Sequence, residues 1–397
     1  MMTYTLGEDI YPRLSWFRQE KVAAARMMVV GCGALGNEVL KNLALFGVGH
    51  IVVVDFDCIE PSNLSRSVLF NSEDAAQRRQ KAAVAAERIR QLNPAIEVMD
   101  ICGDIAYDVG LGLIRQMDVV VGCVDNRWAR YCINRLAMRA GKPWVDGGID
   151  GLEGTARVFM PGQNCYACNL GTEGRKELRL RLSCANIIRH NEIAERVPTT
   201  PVIASVIGAV EAQEAMKLIH REEMEQGELT SLCGKMFCYE GQHLTTRTVS
   251  FQAYDDDCPL HEQWAPVEQV ALTADQTVEE ALALLACALH VSDVSFSLTA
   301  DCFVDWLSRR DNELHYSVML PGHLVASWVG ENRQLAGLPW STFYQHEYRE
   351  IDKDFPYQEM TLRQLGIPDE DVLWVHTDQG DRYVQLEVRK LRNGVRN

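Results

Sequence analysis

Residues 29–55 read VVGCGALGNEVLKNLALFGVGHIVVVD. A short apolar run meets Gly31-Cys-Gly33-Ala-Leu-Gly36, a helix-forming stretch follows to Phe46, and a second apolar run from His50 ends in Asp55. The order is strand, glycine loop, helix, strand. The glycines permit a tight turn, close approach of a phosphate to the backbone and close strand–helix packing. Asp55, at the end of the second strand, stands where an acid can accept hydrogen bonds from a ribose. Taken alone, the run suits NAD or FAD as well as ATP.

The same alternation continues. Apolar runs at Ile96 to Ile101 and Met117 to Cys123 are interleaved with helix patterns at Arg79 to Leu92 and Trp128 to Ala140. Such a pattern predicts an α/β fold, a Rossmann-like and mostly parallel sheet with helices on both faces. Between Pro161 and Pro201 the pattern fades into Gly, Arg and polar residues, the length of a functional crossing loop. A small-residue helix is expected over Val202 to Ile219, and a short β region over Met236 to Tyr254. From about Val267 the character changes. A capping box at Thr277-Val-Glu-Glu280 opens a helix, Met360 to Leu365 reads as a short helix closed by Gly366, and Asp371 to His376 is expected to pair with Arg382 to Val388. These features predict a nucleotide-binding domain over 1–266 and a small α+β domain over 267–397.

The formal charge of −16 argues against a surface that neutralises nucleic-acid phosphates. Thirteen cysteines with no signal-like start point to a reducing, cytoplasmic setting without disulfides. No apolar stretch approaches the roughly 20 residues that span a bilayer.

The specific signal follows the second strand. Asp55-Phe-Asp57-Cys-Ile-Glu60-Pro-Ser-Asn63-Leu-Ser-Arg66 returns an amide and a guanidinium to the crevice of the glycine loop. With Lys81 ahead of Leu92-Asn-Pro94, Cys123-Val-Asp125-Asn126 with Arg130 and Asn134, and Pro201 to Lys217, the first two-thirds of the chain resembles the ThiF/MoeB/HesA family. These are bacterial relatives of ubiquitin-activating enzymes. The resemblance implies ATP-dependent adenylation. Gly31, Gly33, Ala34, Gly36, Asp55, Asp57, Asn63, Arg66, Lys81, Asp125 and Asn126 would line the nucleotide. Asp55 would hold the ribose, Asn63, Arg66 and Lys81 the phosphates, and Asp125 a Mg²⁺ that offsets charge on the leaving pyrophosphate. Arg13, in Tyr11-Pro-Arg13, matches an arginine inserted into the other subunit's site and so implies a homodimer. Its alternative is an ordinary surface arginine. Ser67 departs from the glutamine that many relatives carry after this arginine.

Cys165-Tyr-Ala-Cys168 and Cys258-Pro-Leu-His261 stand where the family builds a structural zinc site, normally from four cysteines. Three thiolates and an imidazole satisfy tetrahedral Zn²⁺ equally well. Cys32, Cys58, Cys102, Cys123, Cys132 and Cys287 read as small hydrophobes. Cys184 lies in the crossing loop among Arg175, Lys176, Arg179, Arg181, Arg189 and His190, a setting that favours thiolate. In activating enzymes this region carries the acceptor cysteine, so the resemblance implies thioester formation on Cys184 with a ubiquitin-like protein. Transfer to a conjugating enzyme, docked by the C-terminal domain, would follow. By resemblance the genomic setting would be an operon encoding a ubiquitin-like protein with a conjugating enzyme and a deconjugating peptidase, a kind of operon linked to antiphage defence. The rival reading is an adenylyltransferase for a sulfur-carrier protein, which makes a thiocarboxylate without a required thioester. A non-enzymatic nucleotide-binding scaffold is disfavoured by Arg66, Lys81 and Asp125, and an NAD-dependent oxidoreductase by Asn63 and Arg66, which have no ready role there.

Overall fold

A computed structural model describes residues 10–171, 198–310, 313–325 and 343–387, together with 174, 176, 327 and 328. The chain divides into two units, the first comprising Met1–Ala106, Ile114–Arg175 and Glu195–Gln263. Its sheet has eight described strands: β1 (Arg26–Val30), β2 (His50–Val54), β3 (Glu97–Ile101), β4 (Val119–Gly122), β5 (Trp144–Asp150), β6 (Glu153–Phe159), β7 (Lys235–Glu240) and β8 (Thr245–Ser250). The spatial order is β3-β2-β1-β4-β5-β6-β7-β8. Pairings from β3 through β5 are parallel and those from β5 to β8 antiparallel. β1 and β2 are buried at nearly every position, as a strand covered on both faces must be, and their Val/Met/Ile runs carry no polar alternation.

Helices α1 (Ala34–Phe46), α2 (Lys81–Leu92), α3 (Arg127–Ala140) and α4 (Pro201–Ile219) cover this sheet. α4 begins where Thr200 Oγ1 accepts the Ile203 N–H at 3.3 Å, with Pro201 at a position whose missing N–H costs nothing. Its Ile203, Ile207, Ala212 and Ala215 pack with Leu35, Val39 and Leu43 of α1 in one core.

The strand order reverses between β1 and β4, so the crevice at their C-terminal ends is where a doubly wound sheet binds its ligand.

The second unit comprises Tyr107–Leu113, Lys176–Ala194 and Trp264–Asn397. It holds a sheet ordered β14-β10-β15-β16-β9, formed by β9 (Val267–Gln269), β10 (Val294–Ser297), β14 (Glu350–Ile351), β15 (Val372–Thr377) and β16 (Arg382–Gln385). A three-stranded sheet is built from β11 (Phe303–Arg310), β12 (Glu313–Pro321) and β13 (Phe343–Tyr348). Helix α5 (Val278–Leu289) starts in the expected capping box: Thr277 Oγ1 accepts the Glu280 N–H and Glu280 Oε2 accepts the Thr277 N–H. Residues 107–113 join this unit through Leu111 N–H to Asp371 Oδ1 at 2.9 Å and Gly112 N–H to Glu370 O at 2.8 Å.

Two local expectations fail. Residues 362–366 form hydrogen-bonded turns rather than a helix, because Leu365 and Ile367 both bond back to Leu362 and no regular ladder develops. Cys102 and Cys287 are exposed rather than packed as small hydrophobes. No helix among the described residues is long and apolar enough to cross a membrane.

Candidate nucleotide and metal sites

Gly31 follows β1 at φ +94°, and a Cβ there would stand 2.4 Å from the carbonyl oxygen of Cys123. A Cβ on Gly36 would stand 1.9 Å from Gly31's own carbonyl. Both positions therefore demand glycine, and they press the loop against β4 on one side and α1 on the other. Asn37, fully buried, donates from Nδ2 to the carbonyls of Cys32 at 2.7 Å and Gly33 at 3.0 Å, while its Oδ1 accepts the Leu69 N–H at 2.8 Å. It thus ties the loop to the segment after Arg66. Its only sequence signal is an amide within a largely apolar helix.

Asp55 leaves β2 pointing at the loop. Its Oδ2 accepts the Cys32 N–H at 2.6 Å and its Oδ1 the Asp57 N–H at 2.8 Å. Burial pushes its carboxyl above the ordinary range, against the pull of Lys81 and of these two backbone donors. Asp57 Oδ2 in turn accepts from Lys81 Nζ at 2.7 Å, and Lys81 N–H bonds to Asp57 O at 2.9 Å. Burial works against the Lys81 charge, yet Asp55 and Asp57 prevail and its pKa is raised. A buried ammonium is thereby kept charged beside the glycine loop.

The remaining predicted residues stand around this frame. Asn63 Oδ1 accepts the Glu60 N–H at 2.9 Å in a single turn of 3₁₀ helix over Pro61–Asn63. Arg66 Nη1 donates to Ser62 O at 2.6 Å. Asp125 is exposed just past β4, accepting from Asn126 Nδ2 at 3.2 Å, and Asn126 Oδ1 caps α3 through the Ala129 N–H at 2.8 Å. Gly33 and Ala34 begin α1. Arg13 is exposed at the end of a short 3₁₀ turn over Tyr11–Arg13. Cys184 lies outside the described residues.

Beneath the crevice, Asp146 of β5 is wholly buried and held by two arginines, Arg130 Nε at 2.8 Å and Arg157 Nη2. Beside it Glu211 of α4 is equally buried, its carboxylate within 4.0 Å of Cys123 Sγ. Burial drives its carboxyl well above the ordinary range and Asp146 adds to the effect, against Arg130. Arg130 carries a motif signal in the sequence, whereas neither acid does.

The Sγ atoms of Cys165, Cys168 and Cys258 and a ring nitrogen of His261 all lie within 4.8 Å of one another. Cys165 Sγ is 3.7 Å from Cys168 Sγ and 3.8 Å from Cys258 Sγ, and Cys168 Sγ is 3.1 Å from His261 Nε2. Two thiolates bound at ~2.3 Å to a tetrahedral Zn²⁺ stand about 3.8 Å apart, so the sulfurs already have the edge length of that tetrahedron. The residues fit the ion. The Cys165 thiol is pushed down to about 5 by the hydrogen bond from Cys258, whose own thiol is pushed up by it.

The ThiF family model matches residues 7–260. The SAMP-activating enzyme E1 of Haloferax volcanii is 32% identical over 242 residues, 61% of this chain and 82% of the relative. The mouse adenylyltransferase and sulfurtransferase MOCS3 is 30% identical over 250 residues, 63% of this chain and 50% of its own. The sulfur carrier protein adenylyltransferase of Thermus thermophilus is 38% identical over 165 residues, 40% of this chain and 60% of its own. The chain thus spans about four-fifths of the archaeal relative and half of the mouse one. Among solved structures, Escherichia coli MccB with ATP is 22% identical with a TM-score of 0.48, covering 62% of this chain and 68% of that one.

Proposed function

Because this chain belongs to the ThiF family, we propose that it adenylates the C-terminal carboxylate of a ubiquitin-like or sulfur-carrier protein. The observation that carries this reading is the linked set Cys32–Asp55–Asp57–Lys81 at the C-terminal ends of β1 and β2. A dinucleotide enzyme needs the acid for a ribose but has no use for a charged, buried lysine beside it. An adenylating enzyme does.

A carboxylate attacks the α-phosphorus of ATP, the bond to the β-phosphate oxygen breaks, and pyrophosphate leaves. Both reactants are anions, so cationic groups must lower their repulsion and hold the charge gathering on the leaving group. Lys81, Arg66 and Asn63 are assigned to the phosphates, Asp55 to the ribose, and the amides at the start of α1 to the phosphate chain. Mg²⁺, when bound, supplies further charge neutralisation, and Asp125 with Asn126 beside it would hold it. Arg13 is assigned to the site of a second copy of the chain.

The archaeal relative's name, an activating enzyme E1, favours a second step in which Cys184 takes the acyl group as a thioester for a conjugating enzyme, with the domain from about residue 267 as its docking platform. The names of the mouse and Thermus relatives favour the alternative, a thiocarboxylate on a sulfur carrier. Incubation with ATP, Mg²⁺ and a candidate carrier separates these readings. Carrier-dependent exchange of pyrophosphate into ATP is expected in both, and its absence would sink the adenylation assignment. A thiol-sensitive adduct on a non-reducing gel, lost in Cys184→Ala while exchange persists, supports the thioester. Exchange without adduct supports the thiocarboxylate.

A further inference from the structure

The second unit carries a constellation that the nucleotide chemistry does not use. Ser297 Oγ lies 2.8 Å from His376 Nε2, and His376 Nδ1 lies 3.0 Å from Asp381 Oδ1. The other oxygen of Asp381 accepts from Trp374 Nε1 at 2.9 Å. A carboxylate only accepts, so the neutral imidazole carries its proton on Nδ1 and leaves Nε2 to accept from the serine hydroxyl. This is the sequence of donors and acceptors that activates a serine nucleophile.

Strand register puts the three groups on one face. Phe296, Leu373, Val375 and Val384 belong to the buried core of this unit. Alternation therefore turns Ser297, Trp374 and His376 to the opposite side of the sheet, where Ser297 pairs with Trp374 across β10 and β15. Asp381 arrives from the tight turn between β15 and β16, with its side chain half exposed and that of His376 28% exposed. The hydroxyl is reachable and its base is held.

We propose that Ser297, His376 and Asp381 form a second reactive centre, a serine acyl-acceptor that hydrolyses activated thioesters and aryl esters bearing uncharged or cationic acyl groups. Ser297 Oγ attacks the carbonyl carbon while its proton passes to His376 Nε2. The bond to sulfur or aryl oxygen breaks and the departing group takes that proton. Water then attacks the Ser297 ester, His376 accepts its proton and returns one to Oγ, and the acid is released. Two observations set the substrate class. The Leu298 N–H is committed to Arg349 O at 2.8 Å, so the amide after the nucleophile gives no help to an oxyanion, and only acyl groups with good leaving groups react. Glu350, which accepts from Ser295 Oγ, and Asp378, which accepts from Ser292 Oγ, join Asp381 in making the surroundings acidic and unfavourable to anionic acyl groups. Asp381 acts through His376 and is a positioning residue.

The test uses the full-length chain with a fluorophosphonate probe and with p-nitrophenyl acetate. The probe is expected on Ser297 by peptide mass spectrometry, absent in Ser297→Ala and slowed at least ~100-fold in His376→Gln. Asp381→Asn should slow both reactions and Asp381→Glu should restore part of the rate, which a purely structural role would not do. Ser297→Ala removes only a hydroxyl, and its thermal unfolding should match the parent. No probe on Ser297 of the parent chain, or labelling at an unchanged rate in His376→Gln, overturns the proposal.

Discussion

Lys81 Nζ lies 2.7 Å from Asp57 Oδ2, a buried ammonium tied to the acid two residues beyond Asp55. The pair joins the first turn of α2 to the segment leaving β2, and so fixes a positive charge at the mouth of the glycine loop. Lys81→Met keeps the stem and deletes the charge. Pyrophosphate exchange is expected to fall by about 10²–10³-fold, with the fold retained by circular dichroism. An unchanged exchange rate would remove Lys81 from the phosphate site.

The cysteine and histidine cluster predicts about one zinc per chain by elemental analysis of protein purified without chelator. His261→Ala should lose the metal and lower the melting temperature. His261→Cys, which supplies a fourth thiolate, should keep it. Metal content unaffected by His261→Ala would contradict the assignment.

Asp146 is wholly buried between Arg130 and Arg157. Asp146→Ala leaves two mostly buried cations without their partner, and a loss of about 3–5 kcal/mol is expected in urea denaturation. A loss below ~1 kcal/mol would mean that the arginines find other acceptors.

Glu211 gives a pH signature. Its folded-state pKa is raised, so the fold binds a proton that the unfolded chain releases. The stability this contributes is fully present below the ordinary glutamate value of about 4.3 and is lost as pH rises through the raised one. Glu211→Gln, which mimics the protonated acid, should therefore match the parent in acid and exceed its melting temperature at neutral and alkaline pH. Differential scanning fluorimetry across pH checks the divergence, and parallel curves would show that Glu211 is ionised in the fold.

The glycine loop, both strands of the first crossover and the capping box at Thr277 were legible in the sequence because each is a local signal. Backbone sterics, strand burial and a four-residue hydrogen-bond pattern are written in neighbouring letters. Asp55, Asn63, Arg66, Lys81 and Asp125 could be named from the sequence for a different reason: they recur in a known order. The turn over residues 362–366 misled for the complementary reason: its helix-forming letters are overruled by Thr361 and Leu362, which pair with Thr277 and Gln276.

What the sequence by itself determined is the chemistry available and the order in which the chain delivers it: a glycine loop, an acid, cations, three thiols and an imidazole. Tertiary structure alone decided which of these groups meet. Lys81 is 24 residues from Asp57, Cys258 is 93 from Cys165, and His376 is 79 from Ser297. No spacing rule links such positions. Only sheet order and strand register bring them within hydrogen-bond reach, and burial then sets whether each group keeps its charge.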